Sequence, residues 1–289
     1  MRELLDGLER WRAAGKRAAV ARVVDMEGSG PRDPGAAMAV NEDGEVIGSV
    51  SGGCVEGAVL SEGLSVLRRG EPRLVTYGIA DEDAFAVGLT CGGTIHIFID
   101  PPDATGEAIQ AALRTGEPAA LATIIEGRGA GAKLLVRPGA EPIGTLGDAD
   151  LDRVVARDAL GELEAGRTGI RHYGAHGEAR REESVAVFIE SFAPPPRMVI
   201  FGAIDFTAAL ARLGKLLGYQ VTVCDARPVF ATPARFPMAD EVVVDWPDRY
   251  LARAGGDLGP RDAVCVLTHD PKFDVPAIQA ALGTKVGYL

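Results

Sequence analysis

Leu4, Leu5, Leu8 and Trp11 recur at i, i+1, i+4 and i+7, an apolar stripe that predicts a short amphipathic helix closed near Gly15. The pattern then shortens to strand-length runs. AAVARVVDM (18–26) and AAMAV (36–40) read as strands, and Asp43-Gly44 turns a hairpin into EVIGSV. The turn-rich segment GSGPRDPG (28–35) joins the first two strands. SGGCVEG (51–57) joins the third to the helical stretch AVLSEGLSVLRR. RLVTYG is a further strand. A second Cys-Gly-Gly loop then precedes TIHIFI, in which His96 alternates with apolar residues as an ordinary strand position. From Glu107 to Ser191 the order is helix, strand (AALATII), a GRGAGA turn, strand (KLLVRP), an acidic helix near 148–165 and the strand SVAVFIESF; HYGAH, with His172 and His176, reads as a solvated turn.

Three prolines in APPP (193–196) hold an extended segment without amide donors, which places a boundary between a domain at 1–192 and another at 197–289. Beyond it RMVIFGA, YQVTVCDAR, DAVCVLTHD and KVGYL read as strands, with helices FTAALARLGKLLG, ending at Gly218, and DVPAIQAAL among them. That alternation signifies a parallel sheet. The predicted class is α/β: an N-terminal α+β domain followed by a Rossmann-like parallel-sheet domain.

Composition narrows the function classes. The 289 residues are 47% hydrophobic and 25% charged, a globular balance, and a net charge of −11 repels nucleic acid and anionic lipid. No stretch has the ~20 apolar residues of a membrane span and the N-terminus is not a secretory signal, so the expected compartment is the cytoplasm. The four cysteines form no CxxC pair, which argues against a zinc ribbon or a disulfide scaffold.

Cys224 and Cys265 sit in apolar strands and read as core. Cys54 and Cys91 each lie beside two glycines, Gly52 and Gly53, and Gly92 and Gly93. Backbone amides in such loops can converge on an anion and support a thiolate, which suggests a soft metal ligand or a sulfur carrier. In the second domain Gly202 and Asp225 match the first glycine and the ribose-binding acid of a dinucleotide fingerprint. Ile204 and Thr207 stand where the other glycines belong, and Asp205 adds negative charge where a pyrophosphate would sit. His269 ends a strand on the side where open parallel sheets place ligands.

GSGPRDPGAAMAV, GSVSGGCVEG and YGIADEDAFAVGLTCGGTIHIFID resemble the N-terminal segments of the XdhC/CoxI family, and the chain from RMVIFGAIDF to the stretch VCVLTHDPKFDVPAIQAAL resembles that family's C-terminal Rossmann domain. The resemblance implies an accessory factor that binds molybdenum cofactor (molybdopterin), assists its sulfuration with a cysteine desulfurase, and delivers it to xanthine dehydrogenase or a related molybdenum hydroxylase. Many members carry the label xanthine dehydrogenase, although this chain has no iron-sulfur cysteine set or flavin fingerprint. The family's motifs map onto Ser51, Gly52, Gly53, Cys54 and Glu56, and onto Cys91, Gly92 and Gly93, with the two cysteines as the reactive positions. A homodimer is implied as well. Many members carry Gly-Ala-Gly-His where this chain has Gly202, Ala203, Ile204 and Asp205, and members usually continue beyond the strand matching KVGYL, where this chain stops at Leu289. Either this sequence omits a tail or a basic anion-binding segment is absent from the implied Rossmann domain. Two alternatives stand beside this reading: an NAD-dependent oxidoreductase with Asp225 on the ribose, and a non-catalytic adaptor.

Overall fold

The computed structural model describes the chain except residues 31, 79–91, 102 and 179–183 and the side chains of Arg2 and Ala104. It falls into two compact units, Met1–Ala193 and Pro194–Leu289.

The first unit opens with α1 (Leu5–Ala13), whose Leu5, Leu8 and Trp11 are buried as the stripe predicts. There follow β1 (Ala18–Glu27), β2 (Ala37–Asn41), β3 (Val46–Gly48), α2 (Glu56–Arg69), β4 (Arg73–Tyr77) and β5 (Thr94–Asp100). The Asp43-Gly44 turn forms because the Asn41 side-chain oxygen accepts from the amides of Asp43 and Glu45 while Gly44 takes φ +84°. The sheet order is β3-β2-β1-β5-β4, antiparallel throughout, with Ala21 opposite both Met38 and Ile99. By this topology β1, β3 and β4 all end where β5 begins, so the described residues of GSGPRDPG, SGGCVEG and the Gly92-Gly93 pair share one end of the sheet.

The chain then repeats itself. α3 (Ala104–Thr115), β6 (Ala119–Glu126), β7 (Lys133–Val136), β8 (Ile143–Thr145), α4 (Ala149–Ala165), β9 (Gly169–Gly174) and β10 (Ser184–Phe192) form a second sheet in the order β8-β7-β6-β10-β9. This is the first order with each strand advanced by five. β8 and β9 are additions to the elements predicted from sequence, and β9 corrects the reading of HYGAH: His172 lies in a strand and His176 in the turn after it. Both modules close their second helix with a left-handed glycine, Gly70 and Gly166.

The two modules meet reciprocally. A Cβ on Gly35 would lie 3.6 Å from Thr168 Cγ2, and one on Gly131 would meet Pro72 Cγ at 2.6 Å; 35 and 131, and 72 and 168, are equivalent positions. Val24 and Phe98 of the first module pack in one apolar cluster with Ile125 and Phe188 of the second, flanked by Leu74 and Ile170. An approximate two-fold therefore relates the modules. Charge also crosses this interface, although Arg22, Asp100, Lys133 and Glu190 are nearly water-free. Arg22 Nη1 donates to Asp100 at 2.9 Å and its Nε lies 3.3 Å from Glu190 Oε2, out of line for a hydrogen bond; Lys133 pairs with Asp100 and, at 2.7 Å, with Asp103. Burial alone would lower the Arg22 pKa, but Asp100 and Glu190 raise it overall, so the guanidinium stays charged. Burial pushes the Glu190 carboxyl up, since Arg22 is hydrogen-bonded to Asp100 instead.

In the second unit β11 (Arg197–Phe201), α5 (Asp205–Leu216), β12 (Gln220–Cys224), β13 (Glu241–Val243), α6 (Pro247–Ala254), β14 (Ala263–Val266) and α7 (Pro271–Leu282) build a parallel sheet in the order β13-β12-β11-β14. β13 and α6 lie in the stretch that sequence left unassigned. KVGYL is not a strand, contributing only a single bridge between Tyr288 and Ala263. Cys224 is fully buried, its thiol pushed up to about 12 chiefly by burial, and Cys265 is half-buried. Among the described residues no helix is long and apolar enough to cross a membrane.

Candidate functional site

The segment 49–55 follows an edge strand of only three residues and feeds directly into α2, so beyond the Ser49 amide, which donates to the Ala37 carbonyl, no ladder holds its backbone. A side chain holds it instead. Glu56, the first residue of α2, turns back and accepts from Ser49 Oγ (2.7 Å), the amides of Val50 (3.2 Å), Ser51 (2.9 Å) and Gly53 (2.8 Å), and Ser51 Oγ. Ser49 Oγ in turn accepts from the Gly52 amide and Ser51 Oγ from the Val55 amide. Gly52 (φ +74°) and Gly53 (φ +122°) supply the left-handed backbone that wraps these amides around one carboxylate. The amides expected to receive an anion from outside are bonded to Glu56 of the same chain.

Partial burial would raise the Glu56 pKa, but the hydroxyls of Ser51 and Ser49 and the Ser51 amide outweigh it and bring the group down to about 2, from an ordinary 4.5. A depressed carboxyl pKa stabilises the fold above the unfolded value and stops doing so as pH falls through the folded one. Glu56→Gln should therefore flatten the part of the acid-unfolding profile between pH ~4.5 and ~2. A profile unchanged in that window would show that the carboxylate contributes nothing to the loop.

The product of this arrangement is the placement of Cys54, half-buried against the apolar cluster under α2 and held between the clamped Gly53 and the helix start. Its companion Cys91 lies outside the described residues. The adjoining Gly92 has φ +86°, and Gly93 passes so close to the first loop that an added Cβ would collide with the Ser29 carbonyl and lie 2.9 Å from that of Glu27. Gly28, at φ +76°, faces Gly93 from the other side. The glycines of GSG and of the second Cys-Gly-Gly segment thus serve each other's close approach. His96, beside them on β5, shares a hydrogen bond of 2.9 Å with Thr76 Oγ1 through Nδ1.

Gly202, Asp225 and His269 lie just beyond the carboxyl ends of β11, β12 and β14, at one end of the second unit's sheet. Asp225 is 2% exposed and accepts from the Ala203 amide at 2.7 Å and from Arg227 through its amide, Nε and Nη2 at 2.7–2.9 Å. Those bonds, against the opposing effect of burial, keep its pKa low. The carboxylate expected on a ribose is bonded to its own chain. Gly202 (φ +110°) is needed because a Cβ would stand 2.9 Å from the Leu267 carbonyl carbon, a packing requirement within the fold. His269 holds the left-handed region at φ 55°, directly before Asp270, the N-cap of α7. No group of three or more His, Cys, Asp or Glu among the described residues is arranged to hold a metal ion.

The model of the XdhC and CoxI family matches residues 11–78 and 112–174, which are equivalent stretches of the two modules, and that of the XdhC Rossmann domain matches 198–289. The chain is 26% identical to a protein of Bacillus subtilis named as a probable xanthine dehydrogenase component, over 280 residues, 95% of this chain and 78% of that one. It is 27% identical to the Escherichia coli "Molybdenum cofactor insertion chaperone PaoD" over 277 residues, 96% of this chain and 67% of that one. A crystal structure described as a xanthine dehydrogenase from Bacillus halodurans, 24% identical, shares the fold with a TM-score of 0.64 over 99% of this chain and 81% of its own. The two matched family models, which together span most of the chain, place it in the XdhC and CoxI family.

Proposed function

We propose that this protein is a maturation factor that binds molybdenum cofactor as cargo, supports its sulfuration and inserts it into xanthine dehydrogenase or a related molybdenum hydroxylase. The observation that carries the reading is Cys54 on its clamped Ser51-Gly52-Gly53 loop, in a chain of the XdhC and CoxI family with a relative named as a molybdenum cofactor insertion chaperone. A thiolate suits molybdenum as a soft ligand, or serves as carrier of a sulfur received from a cysteine desulfurase. Gly92 and Gly93, at the same end of the sheet, and Cys91, which precedes them in sequence, complete the proposed site. The loop amides do not fit the cargo's phosphate, because Glu56 occupies those of Val50, Ser51 and Gly53. The NAD-dependent alternative finds little support, since Asp225 is bonded to Ala203 and Arg227 and the second and third fingerprint glycines are missing. As in the resemblance that suggested it, the acting form is a homodimer.

The test is anaerobic titration with molybdenum cofactor followed by gel filtration and metal analysis, with NAD in parallel. Near-stoichiometric molybdenum should co-elute with the wild type, and Cys54→Ser should lower retention at least tenfold, the loss of ~1.4 kcal/mol or more of binding. Full retention by Cys54→Ser together with Cys91→Ser would overturn the thiolate reading; saturable NAD binding without molybdenum would favour the oxidoreductase.

A further inference from the structure

The clamp around Glu56 has two physical readings. It is either an anion pocket that a ligand opens by displacing Glu56, or a device that fixes the loop and with it Cys54. The second module decides between them, because the chain builds the same loop twice. With a constant offset of 96, Ile47 and Ile143, Gly48 and Gly144, Leu67 and Leu163, Tyr77 and Tyr173, and Gly78 and Gly174 are identical pairs. At that offset Ser49, Val50 and Glu56 correspond to Thr145, Leu146 and Asp152. Asp152 accepts from Thr145 Oγ1 at 2.7 Å and from the Leu146 amide at 2.7 Å, and the Gly147 amide donates to Thr145 Oγ1 at 3.0 Å. The two bonds to the carboxylate have their counterparts in the first module, from Ser49 Oγ and the Val50 amide to Glu56; the third is shifted by one residue, since Gly147 corresponds to Ser51 whereas the Gly52 amide donates to Ser49 Oγ.

The rest of the loop differs. Gly52, Gly53 and Cys54 become Asp148, Ala149 and Asp150, and Asp148 instead caps α4 and pairs with His176 at 2.7 Å. The second loop thus keeps the carboxylate and its hydroxyl while lacking both clamped glycines and the thiol. A feature retained where no thiol exists belongs to the way the loop is built. A feature confined to the first module belongs to what that module does. We infer that Glu56 is a positioning residue that fixes the loop bearing Cys54, and that it makes no bond to the cargo. The first module extends the shared device by three contacts, from the Ser51 amide, the Ser51 hydroxyl and the Gly53 amide, and with the Val55 amide on Ser51 Oγ these reach the residues that bracket the thiol. Its bearing on molybdenum rests on the function proposed above, whereas the clamp itself does not.

The test uses the full chain without cofactor. Cys54 is alkylated with iodoacetamide and its peptide quantified by mass spectrometry, alongside the melting temperature. Glu56→Gln and Asp152→Asn should each lower the melting temperature, by roughly 5 °C. Only Glu56→Gln should change Cys54, speeding its alkylation roughly tenfold as the loop opens. Glu56→Asp should restore part of the wild-type rate. Ser49→Ala, which removes one donor to Glu56 and the acceptor of the Gly52 amide, should shift the rate in the same sense and serves if Glu56→Gln does not fold. Cys54 alkylation unchanged in both Glu56→Gln and Ser49→Ala, or accelerated equally by Asp152→Asn, would overturn the inference and leave Glu56 a purely structural group. Loss of molybdenum binding in Cys54→Ser with these rates as expected would uphold both readings. Intact binding would fail only the thiolate reading.

Discussion

Replacing Arg22 by Ala should lower the stability of the first unit by about 3–5 kcal/mol, the largest effect expected of any single substitution in this chain. The guanidinium is 4% exposed and lies between Asp100 and Glu190, one carboxylate from each module, at equivalent places on β5 and β10. Asp100 retains Lys133 when Arg22 is removed, but Glu190 keeps no cationic side chain within ion-pair distance among the described residues. A buried carboxylate without its partner is the costly species, so Glu190→Gln added to Arg22→Ala should recover part of the loss, and the double variant should be less destabilised than the sum of the singles. The sign with pH follows from the raised Glu190 pKa. The folded state binds this proton more tightly than the unfolded one, so the deficit of Arg22→Ala should shrink as pH falls from 7 toward ~5. Urea denaturation at both pH values is the measurement. A strictly additive double variant with no pH dependence would mean that the loss arises from packing alone.

Gly93→Ala should disable the proposed site while leaving the second unit unaffected. The added methyl has no room, because its obstacles are the carbonyls of Ser29 and Glu27, and backbone cannot rotate aside as a side chain can. Separating the two loops should cost about 2–3 kcal/mol. It should also unpair the end of the β1 and β5 ladder, where Thr94 faces Glu27, and reduce molybdenum retention at least tenfold, or by ~1.4 kcal/mol. Gly57→Ala is the matched control. It lies in α2 with nothing within 4 Å of the new Cβ, and should leave retention intact while stabilising the helix by up to ~1 kcal/mol. Hydrogen exchange of the Ile95 amide together with metal analysis separates the two variants, and equal retention by both would remove Gly93 from the site.

Sequence pattern was sufficient where an element carried its own signal. The stripe of α1, the Asp-Gly hairpin, the alternation of β5 and the βα order of the second unit needed no knowledge of neighbours. It failed where an element is short or depends on a partner. β8 has three residues, and β13 has three with a pattern set by packing on β12. β9 reads as polar because His172 and Arg171 face out, and it is a strand only through its ladder with β10. KVGYL has the composition of a strand but makes one bridge. The candidate loop was legible as glycines around a cysteine, whereas the role of its amides was not, since nothing local announces that Glu56 will turn back to fill them. The duplicated module was within reach. The constant offset of 96 runs through two Ile-Gly pairs and two Tyr-Gly pairs, and was hidden by the longer GSGPRDPG loop.

The reciprocal joining of the two modules bears on stoichiometry. Two identical protomers related by a two-fold would carry two equivalent loops and two equal binding constants, whereas one polypeptide with the same symmetry in its scaffold has a thiol in only one of them. With the cargo at Cys54, each chain carries one equivalent of molybdenum at this position. The half without the cysteine is then a built-in blank against which every measurement on the other half can be read.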